Sequence, residues 1–245
     1  MKFESYTLAE RPDLIDEQDR LMEQEWPDFV IEGEGAYGWN ELFSEFREYQ
    51  FVLVEEGGIV AIGNTIPLGL EREVSDLPAE GWDWALAKGH EDKRNGADPD
   101  TLCALSATVV SDHRGKGLAR ALLDQMKRIA RAEGLQRLIA PVRPTRKSEF
   151  PLIPTASYAA WNRQDGEPFD PWLRVHLRAG GRVIRVASRS MTIGGTLQQW
   201  SRWTEQEFPG SGEYTIPGGL VPLSVDIEAG RGEYVEPNVW VVHDL

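Results

Sequence analysis

The sequence predicts a mixed α/β fold, in which a hairpin and a buried strand–helix–strand unit share one sheet. Residues 51–54 (FVLV) and 59–68 (IVAIGNTIPL) are apolar runs joined by the turn Glu56-Gly57-Gly58, the pattern of a β-hairpin. Residues 102–110 and 138–142 are apolar runs of the kind buried on both faces, and the amphipathic stretch 117–132 lies between them. Strand, helix and strand in that order make a parallel βαβ crossover. With 245 residues the chain is long enough to bury a sizeable core in one large domain.

The other elements follow from periodicity. Residues 3–8 alternate and read as a short strand. Leu14, Ile15, Leu21, Met22 and Trp26 have the spacing of an amphipathic helix over 13–26, which Pro27 stops. Residues 28–38 read as a loop, and 39–48 carry helical spacing at Trp39, Leu42, Phe43 and Phe46. In the polar stretch 71–100, Trp82, Trp84 and Leu86 mark a helix, and Asn95-Gly96 and Asp98-Pro99-Asp100 mark the turn after it. Residues 144–171 hold five prolines and read as a long excursion with one helical turn near Tyr158. A short helix over 171–179 opens on Pro171 and closes on Gly180-Gly181, and a strand over 182–187 follows. A helix over 196–208 and two strands, 220–227 and 238–243, complete the chain. The expected division is a main domain over 1–188 and a C-terminal extension over 189–245 packed on it. Trp200, Trp203, Phe208, Tyr214 and Trp240 are too much large apolar surface for a disordered tail.

Composition narrows the function classes. There are 26 Lys and Arg against 40 Asp and Glu, a net charge of −14. A nucleic-acid binder is normally basic, so no nucleic-acid partner is expected, whereas a small cationic amine suits this surface. The lone Cys103 sits mid-strand and reads as a core thiol. His90, His113 and His243 show no metal-ligand spacing, so no metal site is expected. No stretch has the length and apolarity of a membrane span, and no apolar signal core follows Met1. The expected compartment is the cytoplasm, with no membrane partner.

The informative segment is 109–119, VVSDHRGKGLA. A buried strand ends there, a turn containing Gly115 and Gly117 follows, and a helix begins at once. This presents unpaired backbone N–H groups at the positive end of a helix, an anion site suited to phosphate. The GxxxxGK[ST] pattern of P-loop enzymes is absent, and the third glycine position of a dinucleotide fingerprint holds Arg120. In the helix, Leu118, Leu122, Met126 and Ile129 form one apolar stripe that should pack on the sheet. Lys116 and Arg120 bring positive charge to the loop, while Lys127, Arg128 and Arg131 read as a solvated face.

The spacing Arg114-x-x-Gly117-x-Ala119 resembles the R/Q-x-x-G-x-G/A pyrophosphate loop of the GNAT superfamily, the acyl-CoA-dependent N-acyltransferases, over roughly residues 49–185. The resemblance implies a GNAT-like mixed, largely antiparallel sheet with a central parallel βαβ unit, helices on both faces and a C-terminal α/β extension. It implies acetyl-CoA, or another acyl-CoA, as cofactor. The strand end at Thr108, Val109 and Val110 should pair its backbone with the pantetheine arm, and Arg114, Gly115, Lys116, Gly117, Leu118, Ala119 and Arg120 should surround the pyrophosphate. A second family landmark, L-Y-x-x-x-G-F, is similar to the segment from Val175 to Gly181 here, with His176 at the tyrosine position and Gly181 in place of the aromatic residue. His176 is then a candidate general acid or base, or a histidine packed in a helix interface. Tyr158 is the second candidate acid. Tyr37 and Trp39 fall where the family places its acceptor-facing loop, a position equally suited to core.

The expected function is transfer of an acyl group, most simply acetyl, from acyl-CoA to a small-molecule amine by direct attack on the thioester. The alternative is a non-catalytic acyl-CoA-binding or interaction module of the same fold. A nucleotide-phosphate enzyme is disfavoured by the missing lysine spacing. The acceptor cannot be read from the residues, and a homodimer is left open.

Overall fold

The computed structural model describes residues 3–35 and 37–245. The chain opens with β1 (Glu4–Thr7), α1 (Ile15–Glu25), α2 (Asp28–Glu32), α3 (Leu42–Glu45) and the hairpin β2 (Gln50–Glu55) and β3 (Gly58–Leu68). Then come α4 (Gly81–Asn95), β4 (Thr101–Val109), α5 (Leu118–Ala132) and β5 (Arg137–Val142). The excursion carries α6 (Thr155–Ala159) and leads to α7 (Pro171–Arg178) and β6 (Arg182–Thr196). The chain ends in α8 (Leu197–Thr204), β7 (Gly212–Tyr214), β8 (Leu223–Asp226) and β9 (Arg231–Asp244).

The nine strands among the described residues form one sheet in the order β1-β2-β3-β4-β5-β9-β8-β7, with β6 paired to β9 off this path. Among the described residues, only the β4–β5 pair is parallel. Alternation along β2 explains why helices cover both faces. Phe51 and Leu53 join the core that holds Leu118, Leu122 and Met126 of α5, while Val52 and Val54 join Leu14 and Met22 on the side of α1.

The C-terminal half of the sheet differs most from the sequence reading. β9 lies between β5 and β6 and pairs β6 from Arg231 to Val242, and residue 188 falls inside β6. β6 runs past the expected 187, and register shifts between Val183 and Arg185 and between Ala187 and Met191 break the alternation by which its full length would be read. β9 starts seven residues before the expected 238 and carries Pro237 within it, a residue that argues against a strand when read alone. β7 was not expected, and β8 is shorter than the 220–227 reading. Residues 28–38, read as loop, contain α2, a single turn too short to show periodicity. Phe29 anchors it edge-on to Tyr234, their ring centroids 5.2 Å apart. The 39–48 helix is reduced to α3 and the 3₁₀ turn Arg47–Tyr49. α8 stops at Thr204 because Glu205 takes a left-handed conformation, φ +54°.

Candidate acyl-CoA site

β4 and β5 pair at Thr101, Leu102 and Cys103 against Arg137, Leu138 and Ile139, and there the parallel ladder ends. Beyond it β4 stays on β3 and β5 stays on β9, so the sheet forks. Pro141, which has no N–H for a ladder, lies in the parted arm of β5. Leu105 is an extra residue in β4, since Ala104 and Ser106 oppose the adjacent Thr65 and Asn64, and its carbonyl accepts the Trp82 indole N–H at 2.9 Å.

The arm of β4 has a free edge. Val110 N donates to Val60 O at 3.1 Å, so the backbones of Val110 and Thr108 face β3. By the same alternation those of Val109 and Ala107 face the fork. The backbone positions open to a pantetheine arm are therefore 107 and 109. Thr108 contributes its side chain, whose hydroxyl accepts the Trp26 indole N–H at 2.8 Å and donates to Met22 Sδ at 3.2 Å.

The loop after β4 is shaped for an anion. Gly115 and Gly117 have φ of +76° and +85°, and a Cβ on either meets nothing within 4 Å, so the glycines serve backbone shape beside open space. Gly117 caps α5 without any side-chain acceptor. The N–H groups of Gly115, Lys116, Gly117, Leu118 and Ala119 bond to nothing among the described residues. Successive free N–H groups at a helix N-terminus fit a pyrophosphate.

A residue that sequence reading missed holds this loop. The Glu25 carboxylate, at the end of α1, accepts Ser111 N at 2.7 Å, Ser111 Oγ at 2.8 Å and the Arg114 guanidinium. Arg114 is thus tied back to α1, and Arg120 to Asp124 at 2.9 Å, while no ion pair holds Lys116 among the described residues. Leu118 is buried beneath the loop, with the rest of the α5 stripe. Lys127, expected on the solvated face, is instead largely buried, its Nζ donating to Ala179 O at 2.7 Å.

The two catalytic candidates lie elsewhere. His176 is 1% exposed, its Nδ1 is 3.0 Å from His243 Nε2, and its ring packs edge-on against Trp172. His243 is level with Leu138, where β4 and β5 are still paired, so the histidines sit at the closed end of the fork. Burial, then His243 and Lys127, hold the pKa of the His176 imidazole well below its ordinary value, so the imidazolium that a general acid would need is not formed near neutrality. The same contact explains Gly181, since a Cβ there would lie 2.6 Å from His243 Cε1. Tyr158, also 1% exposed, donates to Asp170 Oδ2 at 2.8 Å, and burial and that bond raise its pKa far above the ordinary value. Asp170 also caps α7 through Trp172 N and Leu173 N and accepts Arg146 N, so Tyr158 ties the excursion together at the start of α7. Tyr37 is exposed, and the Trp39 ring packs tilted against Trp82 with ring centroids 5.7 Å apart.

This histidine pair sets an acid limit. Burial and Lys127 push His243 down to about 4. A histidine whose folded pKa is depressed below about 6.5 adds stability above that value and loses it as pH falls towards the folded pKa, by on the order of 1 kcal/mol per pH unit. Asp83, raised to about 7 by burial, works in the opposite sense over the same range. The histidine contribution is therefore read by difference. Between pH 6.5 and 4 the melting temperature of wild type should fall more steeply than that of His243→Asn, and parallel curves would refute the assignment.

A buried polar network gathers around β9, beside the end of β5. Glu236 of β9 is fully buried; it receives Arg143 Nε at 2.9 Å, Tyr234 OH at 2.8 Å and Asn238 Nδ2 at 3.1 Å. Asn238 Oδ1 accepts Ser190 Oγ at 2.7 Å, and Ser190 Oγ accepts Trp82 N at 2.9 Å. Nothing local in the sequence pairs Arg143 with a residue 93 positions away.

The model of the Acetyltransferase (GNAT) family matches residues 15–152, from α1 past the end of β5. The chain belongs to the GNAT family. This GNAT match starts earlier than the resemblance over 49–185 and ends before α7, so the segment around His176 lies outside it. An arginine N-acetyltransferase, avaD of Aspergillus versicolor, is 35% identical over 98% of this chain and 93% of its own length. Among solved structures, the loading GNATL domain of CurA from Lyngbya majuscula is similar with a TM-score of 0.62 at 15% identity, covering 100% of this chain and 98% of that one. The GphF GNAT-like decarboxylase, solved with isobutyryl-CoA, has a TM-score of 0.56 at 18% identity and covers 100% of this chain and 99% of that one. These two likenesses are of fold. The GNAT chain is an acyl-CoA N-acyltransferase, with acetyl-CoA as the acyl donor. No helix among the described residues is long and apolar enough to cross a membrane.

Proposed function

We propose that this N-acetyltransferase acts on a small cationic amine of the arginine class and that its donor lies in the fork, with the pyrophosphate on the 115–119 loop. The observation that carries the donor site is the run of free N–H groups from Gly115 to Ala119 beside the free edge of β4. The acceptor class is supported by the arginine N-acetyltransferase relative and by the net charge of −14. Bound there, acetyl-CoA would supply a thioester whose carbonyl carbon the amine attacks and whose sulfur leaves as a thiolate that takes its proton from water, without a protein acid.

The nucleophile is the α-amine. A guanidinium stays protonated at any working pH, whereas the α-amine of a free amino acid titrates several units lower and supplies a minor neutral fraction near neutrality that grows as pH rises. Its proton passes to water. The chain's contribution is placement: Val109 and Ala107 N–H groups along the donor, the loop on its phosphates, and Trp26 bridging α1 to β4 above them. Neither His176 nor Tyr158 moves a proton here, which is consistent with their burial and locked bonds. The test is release of free CoA thiol from acetyl-CoA with arginine, agmatine and other amines, with acetylated product identified by mass. Release with arginine supports the reading. Binding of acetyl-CoA with no release for any amine would establish the non-catalytic module instead.

A further inference from the structure

We propose that Arg143 reads the carboxylate of an amino-acid acceptor, and so selects an amino acid over the corresponding decarboxylated amine. The inference rests on the N-acetyltransferase reading above. Arg143 follows β5 directly, at the tip of the fork arm. Its guanidinium carbon is 5.9 Å from the Trp26 ring centroid, and Trp26 is bonded to Thr108 on the other arm. Arg143 and Thr108 thus flank the fork mouth, joined by one indole.

The guanidinium is held from behind. Nε meets Glu236 at 2.9 and 3.1 Å, and Nη2 donates to Gly218 O at 2.7 Å. Nη1 makes no hydrogen bond among the described residues, and the side chain keeps 21% of its surface exposed. Glu236, with its donors from Tyr234 and Asn238, orients the arginine. Burying such a pair costs desolvation and is weak evidence for stability, so a role in recognition accounts for it better. A planar guanidinium held from behind, with part of its surface exposed, suits a carboxylate, which it can grip in bidentate fashion. In an α-amino acid the nucleophilic nitrogen is attached to the carbon bearing that carboxylate, so gripping the carboxylate also aims the amine.

Arginine and agmatine carry the same amine and guanidine and differ only in the carboxylate. Wild type should show kcat/KM for arginine at least about tenfold above that for agmatine. Arg143→Lys keeps a charge against Glu236 but loses the fork geometry; it should raise KM for arginine at least about tenfold and leave agmatine within about twofold. If Arg143→Lys fails to fold, the wild-type comparison of arginine with its methyl ester tests the same point, and the ester should behave as agmatine does. Equal loss with both substrates, or a wild type indifferent to the carboxylate, overturns the role of Arg143 while leaving the transferase intact. A wild type that releases no thiol with any amine overturns the transferase reading and this inference with it.

Discussion

A chain cut after residue 188 is expected to be insoluble or molten, without a cooperative melting transition. The cut removes β9, which lies between β5 and β6, and with it the ladder that holds β6 in the sheet and the longer of the two that hold β5, whose other ladder is the short one to β4. It also removes Trp200 and Trp240, which are completely buried, and leaves Phe29 without the aromatic neighbours Trp200 and Tyr234. Losing one buried tryptophan costs about 3 to 5 kcal/mol, and a domain has only about 5 to 15 kcal/mol to lose. We propose on this ground that 1–245 folds as one unit. Calorimetry of fragment 1–188 decides it, and a soluble fragment with a sharp transition would show the extension to be separable.

The second large effect is at the loop. Gly117→Glu should weaken acetyl-CoA binding at least about tenfold, about 1.4 kcal/mol or more. Gly117 has φ +85°, which an L side chain adopts at a cost, and its Cβ would enter open space beside the free N–H groups. A carboxylate there repels the phosphates and competes for the same donors. Nothing lies within 4 Å of that Cβ, so the fold should survive with a modest drop in melting temperature. Calorimetric titration reads the change, and an unchanged dissociation constant would remove the loop from the donor site.

What the sequence discloses and what it hides divides along the range of the interaction. The 109–119 segment is readable because an anion loop is local: strand end, glycines and helix start are contiguous, and their free N–H groups follow from helix geometry alone. The βαβ unit and the hairpin are readable for the same reason. Glu25 is invisible because its partners Ser111 and Arg114 lie 86 and 89 residues away. The Arg143 to Glu236 pair is hidden in the same way. β6 and β9 are misjudged in length because bulges and Pro237 interrupt the alternation by which strands are recognised. His176 and Tyr158 look catalytic in sequence because residue type carries no information on burial; the first is enclosed by His243 and Trp172, the second by Asp170 and its aromatic neighbours.

The account stands on the fork between β4 and β5 with its loop being the donor site. Amide chemical shifts recorded by NMR during titration with acetyl-CoA test this most directly. The largest changes should fall on Gly115, Lys116, Gly117, Leu118 and Ala119, with Val109 and Ala107 next, and those of His176 and Tyr158 should be small. Saturable binding that leaves the five loop amides unmoved, with its largest changes elsewhere in the sheet, would contradict it.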